Sequence, residues 1–346
     1  MTKHKRYRMI DIAKRANVSY TAVNHVLTGS AGKSVGVSTE TAERIHRIAN
    51  ELGYVPNRAA QQMRGKKSGL IAVVGTDWER NRVDPRLLSW LISAAAARGF
   101  NVLATQTGSD PKALAECVRD YDSRSLEGLI FIAFGNESFW PETVQMLSPL
   151  QRVTSILCDP GIVGGSCVES DVADGVRQQV AHLHAQGRRK IVQLVESLDT
   201  EYERKRVQAF LEMHRELGRP IAGDEIVVAT KEWSADSDEN WPGLLDEFIK
   251  KRGADAVLAD NDFGASAIIR VAQRHGVRVP EDLAVMGWGE SQFAALANPR
   301  FTTVNFQLKE IASAALDMLL EQVKHPQKAD PVRVSIKPKL IVRESA

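Results

Sequence analysis

The stretch MIDIAKRANVSYTAVNHVL, residues 9–27, contains two short helical patterns separated by a tight turn. Residues 9–16 are typical of a first helix, with Ile10 and Ala13 on one side. The turn residues Asn17-Val18-Ser19 interrupt this pattern, and Ser19 is a suitable cap for a helix that follows it. The spacing therefore predicts two helices joined by only a few residues.

The second helix has an apolar face and a polar face. Val23, Val26 and Leu27 recur at helical spacing and are predicted to pack against the first helix, while Thr21, Asn24 and His25 lie on the opposite face. A polar face at the start of the second helix is the geometry that places base-reading groups in a major groove of DNA. A small structural helix bundle would show the same periodicity, so the pattern alone leaves both interpretations open.

A third helix completes the predicted bundle. Ser38 is its expected cap, Glu40 lies in its first turn, and Gly53 is expected to end it. The side chains predicted to face the core are Ala42, Ile45, Ala49 and Leu52.

A fourth, shorter helix is predicted at residues 58–64, after Pro56 and the potential cap Asn57. It is too short to be stable alone in water, so we expect it to fold only against a partner. Arg58, Gln62 and Met63 are suitable groups for a minor groove, with Met63 as an apolar wedge. The alternative interpretation of the segment is an interdomain linker.

Charge is divided unevenly along the chain. Residues 1–66 contain twelve Lys or Arg and four acidic residues, whereas the rest has 33 basic and 39 acidic residues, within a total of 346. The basic segment at residues 1–66, called the head below, favours binding to a phosphate backbone. The mildly acidic remainder of the chain, called the body, does not. The distribution is consistent with nucleic-acid binding by the head.

From Gly69 onward, short apolar runs alternate with helical patterns. The runs are Leu70–Val74, Val102–Ala104, Leu129–Ile132, Ile156–Leu157, Ile191–Val195, Ile226–Val228, Ala256–Ala259 and Leu283–Met286. The helical patterns between them cover 87–97, 113–121, 172–185, 204–217 and 265–275. Strands separated by crossover helices predict parallel sheets covered on both faces, and their number predicts two doubly wound lobes. Ligands of such folds bind beyond the carboxyl ends of the strands.

The head resembles the lac-repressor family of bacterial regulators. The resemblance rests on Ile10-Asp11-Ile12-Ala13, on Val37-Ser38-Thr39-Glu40-Thr41 and on the run from Glu51 to Ala60. It implies that Tyr20, Thr21, Asn24 and His25 occupy base-reading positions, and that the hinge helices of two protomers enter the minor groove together. The loop from Thr28 to Gly36 is about four residues longer than is typical of the family, so its phosphate contacts are expected to differ. Met63 replaces the usual Leu at the wedge position.

The body resembles the same family and hence the sugar-binding periplasmic proteins. Its supporting strings include Gly187-Arg188-Arg189-Lys190-Ile191, Asp260-Asn261-Asp262, the run from Val279 to Gly287, and the terminal run from Leu340 to Ser345. The resemblance implies effector-binding roles for residues at strand ends, namely Asp159, Arg206, Trp233 and Asn261. Arg206 can fork to an oxygen pair, Asn261 can donate and accept, and Trp233 offers a flat apolar face.

Two departures limit what is expected of the ligand. The family's usual Gly-aromatic-Asp-Asp stretch is here Gly287-Trp288-Gly289-Glu290, so the carboxylate that usually binds ligand hydroxyls is missing at Gly289. Glu290 can replace that carboxylate only if it approaches the ligand from a shifted position. The segment from Trp78 to Arg86, which is expected to border the effector site in the first lobe, contains three arginines. They either bind a phosphate or carboxylate of the effector or remain solvated and ion-paired. We expect a sugar or a sugar derivative.

The predicted organisation is a small all-α helix-turn-helix domain at 1–54, a hinge at 55–67, and at 68–346 an α/β, two-lobed, periplasmic-binding-protein-like domain with doubly wound parallel sheets. The protein is expected to be a homodimeric, cytoplasmic transcription regulator that represses through operator DNA under control of a small-molecule effector. No export signal or apolar span is evident, the three cysteines lack metal-ligand spacing, and no cofactor is expected.

Two rival functions receive less support from the sequence. An enzyme is disfavoured because no Gly-rich phosphate loop, nucleophilic serine elbow or metal pattern of histidines occurs. A solute-binding transport protein would share the fold of the body, but the basic head argues against it.

Overall fold

The computed structural model describes residues 7–28, 36–54, 68–75, 85–107, 110–123, 126–132, 147, 152–156, 166–198, 200–229, 233, 241, 243–325 and 331–346. Internal contacts divide the chain into two compact units, Met1–Ser68 and Gly69–Ala346. The predicted hinge at 55–67 lies outside the described residues.

The described residues of the first unit form the helices α1 (Met9–Ala16), α2 (Tyr20–Thr28) and α3 (Thr39–Glu51). Ile12, Val23 and Ile45, one from each helix, are completely buried in their shared core. Of the two residues predicted to share one side of α1, Ala13 is 3% exposed and Ile10 is 38% exposed. Ile10 lies two residues, or about 200° of helical rotation, from the buried Ile12.

Predicted caps define the ends of these helices. The Ser19 hydroxyl accepts from the amide of Ala22 at 3.1 Å, and that of Ser38 accepts from the amide of Thr41 at 3.3 Å. Gly53 ends α3 at φ +60°, and the amide of Tyr54 donates back to the Ala49 carbonyl at 2.9 Å. This is the bond pattern of a glycine-terminated helix, which confirms the predicted stop.

The first lobe of the second unit is built on a six-stranded parallel sheet in the order β11-β5-β4-β3-β1-β2. Its strands are β1 (Leu70–Gly75), β2 (Asn101–Gln106), β3 (Gly128–Ile132), β4 (Val153–Ile156), β5 (Ser166–Ser170) and β11 (Arg333–Ile336). The helices that the described residues form in this lobe include α4 (Pro85–Ala97), α5 (Pro111–Ser123) and α10 (Leu308–Lys324). Separate apolar cores lie on the two faces of the sheet.

The second lobe is built on a four-stranded parallel sheet in the order β7-β6-β8-β9. Its strands are β6 (Ile191–Val195), β7 (Ile226–Val228), β8 (Ala256–Leu258) and β9 (Ala284–Met286). Its helices are α6 (Val172–Ala185), α7 (Glu201–Glu216), α8 (Asp262–Arg274), α9 (Gln292–Leu296) and a π-helical turn, Asp246–Lys251. Both faces are again covered by apolar cores, which confirms the predicted doubly wound class.

The chain passes between the lobes three times, after β5, after β10 (Thr303–Asn305) and between β11 and β12 (Lys339–Ile341). Two of these crossings are joined, because β10 and β12 pair antiparallel. Phe306, directly after β10, packs against a core of each lobe.

Helix α7 begins three residues before the predicted start at Arg204. The Thr200 hydroxyl accepts from the amide of Glu203 at 3.2 Å and so caps a first turn in which charged residues flank Tyr202. Among the described residues, no helix is long and apolar enough to cross a membrane. Cys117 and Cys167 are both free thiols.

Candidate functional sites

The candidate DNA-binding face lies on α2. Tyr20 and Thr21, in its first turn, are exposed, whereas Asn24 and His25 are half-buried and engaged in further interactions. Asn17, in the left-handed region at φ 52°, makes the turn from α1 to α2. The structure thus brings these four residues together on one short helix. The other predicted DNA contacts, Asn57, Arg58, Gln62 and Met63, lie outside the described residues.

The candidate effector site lies at the carboxyl ends of the second-lobe strands. Arg206 on α7, Asn261 after β8 and Glu290 after β9 are each positioned there by the strand and helix that flank them. This agrees with the binding crevice of doubly wound sheets. The predicted ligands Trp78 and Asp159, from the first lobe, lie outside the described residues.

Arg206 is completely buried, and its hydrogen bonds are directed at the protein itself. Its Nη1 donates to the Glu203 carboxylate at 3.2 Å and to the Asp260 carbonyl at 3.0 Å, and its Nη2 donates to the Ala259 carbonyl at 3.2 Å. The guanidinium fork therefore ties α7 to the end of β8. Nε, which is buried without a hydrogen-bond partner, and one N–H of Nη2 retain unused capacity.

Glu203 supplies the negative charge that Arg206 requires. Burial raises the pKa of the Glu203 carboxyl, while the neighbouring Arg206 opposes that rise. A buried pair of this kind depends on both members, because either charge left alone is strongly disfavoured. Glu203 was not predicted from the sequence, since a helical acid next to basic residues resembles an ordinary solvated face.

Trp288 forms a second unpredicted part of the site. Trp288 is 3% exposed, and its ring lies over the Arg206 guanidinium, with 4.5 Å from Cζ to the ring centroid. Its Nε1 donates to the Tyr202 hydroxyl at 2.5 Å. Burial raises the pKa of Tyr202 above its ordinary value, so the phenol stays protonated. The ring needs space beside α6, because a Cβ at Gly175 would lie 2.6 Å from it.

Asn261 caps the helix that follows β8. Its Oδ1 accepts from the amide of Gly264 at 2.9 Å, and its Nδ2 donates to the Asp260 carboxylate at 2.8 Å. Its side-chain oxygen is thus occupied by the backbone, although one amide hydrogen remains for a ligand. The donor-and-acceptor role expected of Asn261 toward an effector stays a prediction.

Asp262, beside this cap, is another buried acid of the site. Its carboxylate accepts from the Thr303 hydroxyl and from the amide of Ser291, both at 2.5 Å, while burial raises its pKa. A Cβ at Gly287 would lie 2.3 Å from the same carboxylate. Glycine at position 287 therefore permits the close approach that ties α8 to the loop after β9.

Trp233 lies in an apolar core of the second lobe. Its ring is 7% exposed and meets Phe248 edge to face, with ring centroids 5.9 Å apart. Most of its surface is therefore used in packing. The ligand-stacking role predicted for it stays a prediction.

The Glu290 carboxylate accepts hydrogen bonds from two other side chains of the protein. Its Oε1 accepts from Arg343 at 2.5 Å and its Oε2 accepts from Asn305 at 3.1 Å. The adjacent Gly289 has φ +126°, a conformation that L side chains rarely adopt, so an aspartate at that position would be strained. The positive φ of Gly289 therefore accounts for the absence of the family's aspartate at this position. Among the described residues, no group of three or more His, Cys, Asp or Glu could hold a metal ion.

The comparisons with known proteins match both units. Residues 8–57 match the family described as bacterial regulatory proteins, lacI family, and residues 180–346 match a periplasmic binding protein-like domain. The HTH-type transcriptional regulator DegA of Bacillus subtilis strain 168 is 28% identical over 97% of this chain and 96% of its own length. The HTH-type transcriptional regulator CelR of Thermobifida fusca is also 28% identical, over the full length of both proteins.

Solved structures show the same fold. A lac repressor dimer bound to operator and an anti-inducer has a TM-score of 0.81 at 23% identity, covering 99% of each chain. A CelR–cellobiose complex has a TM-score of 0.69 at 24% identity and covers 99% of this chain and 100% of the other. The chain thus combines a helix-turn-helix unit that matches the lacI family of bacterial regulatory proteins with a two-lobed α/β unit that matches a periplasmic binding protein-like domain, and its full-length relatives are transcription regulators.

Proposed function

We propose that this lacI-family transcription regulator is a repressor whose affinity for operator DNA is controlled by a sugar or sugar derivative bound between its two lobes. The observation that carries the proposal is the helix-turn-helix itself. A capped α2 presents exposed Tyr20 and Thr21 beside a turn fixed by Asn17, in a segment that matches the lacI family. Such a helix offers side chains to base edges in a major groove.

The proposed mechanism requires two protomers. A homodimer places two recognition helices in successive major grooves of a pseudo-palindromic operator, and the hinge residues Asn57, Arg58, Gln62 and Met63 enter the minor groove. An effector that binds one arrangement of the lobes more tightly shifts the population toward that arrangement. The resulting change in DNA affinity is the regulatory output.

A sugar effector is supported by the chemistry of the site and by the names of similar proteins. Trp288, Arg206, Asn261 and the acids around them combine a flat ring with hydrogen-bonding groups, as polyhydroxyl ligands require. Similar proteins were solved with cellobiose and with sucrose. Trp78, Asp159, Trp233 and Glu290 complete the proposed set of effector contacts.

DNA binding is tested by selecting duplexes from a random library with the full-length protein. Fluorescence anisotropy then measures affinity for the selected duplex and for a scrambled one, over a range of salt concentrations. We expect a clear preference for the selected duplex and an affinity that falls steeply as salt rises. Thr21→Ala should weaken specific binding by about 1 kcal/mol or more, because base-edge contacts carry discrimination. His46→Ala, at an exposed position on α3, is the matched control.

Effector binding is tested by thermal shift with a panel of neutral sugars, amino sugars and sugar phosphates that includes cellobiose and sucrose. A true effector at about 100 times its Kd stabilises the protein by about 2.7 kcal/mol and changes the affinity for the selected duplex. A solute-binding protein would bind a sugar but prefer no duplex, and an enzyme would convert the sugar to a product that chromatography detects. Either result would overturn the proposal.

A further inference from the structure

The turn Gly289–Glu290, after β9, lies between the second lobe and the crossing strands. Both residues have positive φ, +126° and +54°. The amide of Gly289 donates to the Val304 carbonyl at 2.8 Å, and the amide of Glu290 donates to the Thr303 hydroxyl at 3.3 Å. The turn is therefore fastened to β10, one of the crossings between the lobes.

The Glu290 side chain fastens the same turn a second time. Its carboxylate joins Asn305, at the end of β10, to Arg343, which follows β12. The Glu290 and Arg343 side chains are only 19% and 15% exposed, so their ion pair is partly shielded from solvent. Because β10 and β12 are paired, this carboxylate fixes the turn relative to two of the three crossings.

Arg86 of the first lobe reaches this turn. Arg86, at the start of α4, donates from Nη2 to the Glu290 carbonyl and, at 3.5 Å, to the Gly289 carbonyl. Arg86 and Glu290 are 204 positions apart in the sequence. A charged donor that reaches neighbouring carbonyls across two lobes makes a contact whose existence depends on the angle between the lobes.

The same turn adjoins the candidate effector site. Trp288, the residue before it, covers the Arg206 guanidinium and meets Phe306 edge to face at 5.8 Å. Phe306 packs against cores of both lobes. A displacement of Trp288 by a bound ligand would therefore act on the turn next to it in the chain and on the packing at the crossing.

We propose that Arg86 and the turn Gly289–Glu290 form a clasp between the lobes, that Glu290 is a positioning residue which holds the turn for Arg86, and that this clasp couples effector occupancy to DNA affinity. The coupling depends on the proposed function, whereas the clasp itself does not. A contact formed in only one lobe arrangement shifts the equilibrium toward that arrangement. An effector that prefers one arrangement shifts the same equilibrium, so the contact and the effector influence each other.

The experiment compares Arg86→Ala and Glu290→Gln with Arg98→Ala in the full-length protein. Arg98 is the matched control, because it lies just beyond α4 and forms a two-pronged pair with Asp317 inside the first lobe. Hydrogen–deuterium exchange measures the opening of the turn without any ligand. We expect the amides of Gly289 and Glu290 to exchange at least about tenfold faster in both clasp variants and to be unchanged in Arg98→Ala.

The second measurement is affinity for the duplex selected by the wild-type protein. Loss of the clasp should change that affinity about fivefold or more, in either direction, while Arg98→Ala should not. Unchanged exchange in Arg86→Ala would disprove the clasp, and faster exchange with unchanged DNA affinity would disprove the coupling. If the wild-type protein selects no duplex, the proposed function fails, and the exchange result still decides whether the clasp exists.

Discussion

At the scale of single residues, Arg206 shows how burial changes a predicted role. The sequence suggests an arginine that forks to a ligand, but the structure directs both terminal nitrogens to Glu203 and to two backbone carbonyls. The residue therefore stabilises the loop that forms the site. A loss of effector binding after its removal would combine two effects, loss of a contact and loss of the loop's support.

Arg206→Ala should lower the free energy of unfolding by about 3–5 kcal/mol, because it leaves the Glu203 carboxylate buried without its cation. Urea denaturation followed by circular dichroism measures the change. The double variant Arg206→Met/Glu203→Leu removes both charges and should recover most of the loss. A single variant as stable as the wild type would show that the pair contributes nothing to stability.

The half-buried His184 and the buried His214 form a pair with a different consequence for stability. Their rings are 5.1 Å apart, on the last turns of α6 and α7. Burial lowers the pKa of both imidazoles below 6.5, and for His184 the charges of His214, Arg189 and Arg219 lower it further while Asp255 opposes the shift. For His214, the Phe210 carbonyl and Glu225 oppose the effect of burial.

Stability should therefore decrease as the pH falls below 6.5. Below pH 6.5 the two histidines of the unfolded chain take up protons that the folded protein binds less readily. The stability that the neutral histidines contribute is therefore complete above pH 6.5, and it is lost as the pH falls through their lower pKa values in the folded protein. Thermal unfolding from about pH 7.5 to about pH 5.5 should show a shallower decrease for His184→Gln/His214→Gln than for the wild type. His46→Gln, at an exposed position, controls for histidine content. Equal slopes in the wild type and the double variant would contradict this prediction.

At the scale of secondary-structure elements, the packing of α6 against the loop after β9 depends on one absent side chain. Gly175 lies inside α6, where Ala would normally be favoured by about 1 kcal/mol. A Cβ at that position would nevertheless lie 2.6 Å from Trp288 and 3.2 Å from Pro338. The close packing of Trp288 and Pro338 against Gly175 therefore outweighs the preference of a helix for alanine over glycine.

Gly175→Ala should destabilise the protein by about 1–3 kcal/mol, as overpacked cores do. Thermal unfolding measures the change, and Gly36→Ala, where an added Cβ meets nothing within 4 Å, is the control. An increase in Tm for Gly175→Ala would mean that Trp288 moves aside at little cost.

At the scale of the whole molecule, the proposed regulation separates DNA binding from effector binding. Met63→Gly should weaken binding to the selected duplex because it removes the apolar wedge proposed for the minor groove. Sugar binding, measured by thermal shift, should stay the same. Met63→Leu keeps an apolar side chain and should bind the duplex nearly as tightly as the wild type. Equal affinity for Met63→Gly would remove the wedge from the mechanism.

Local sequence signals predicted much of the fold. The caps Ser19 and Ser38, the stop at Gly53 and the apolar runs of the central strands all correspond to observed elements, because each acts within a few residues of the chain. Strands β5 and β11 of the first lobe and the crossing strands β10 and β12 were not predicted as strands. They are short, and polar residues interrupt their apolar pattern, so the sequence carries little periodic signal there.

By itself, the sequence determined the fold class and the segregated charge, since helical periodicity, caps and charge are local properties of the chain. Only the tertiary structure decided that Arg206 is satisfied by Glu203, that Trp288 covers it, and that Arg86 reaches the turn at Gly289–Glu290. These contacts join residues on separate elements. Their energies depend on burial and on distances that exist only after the lobes have formed, and no local pattern encodes them.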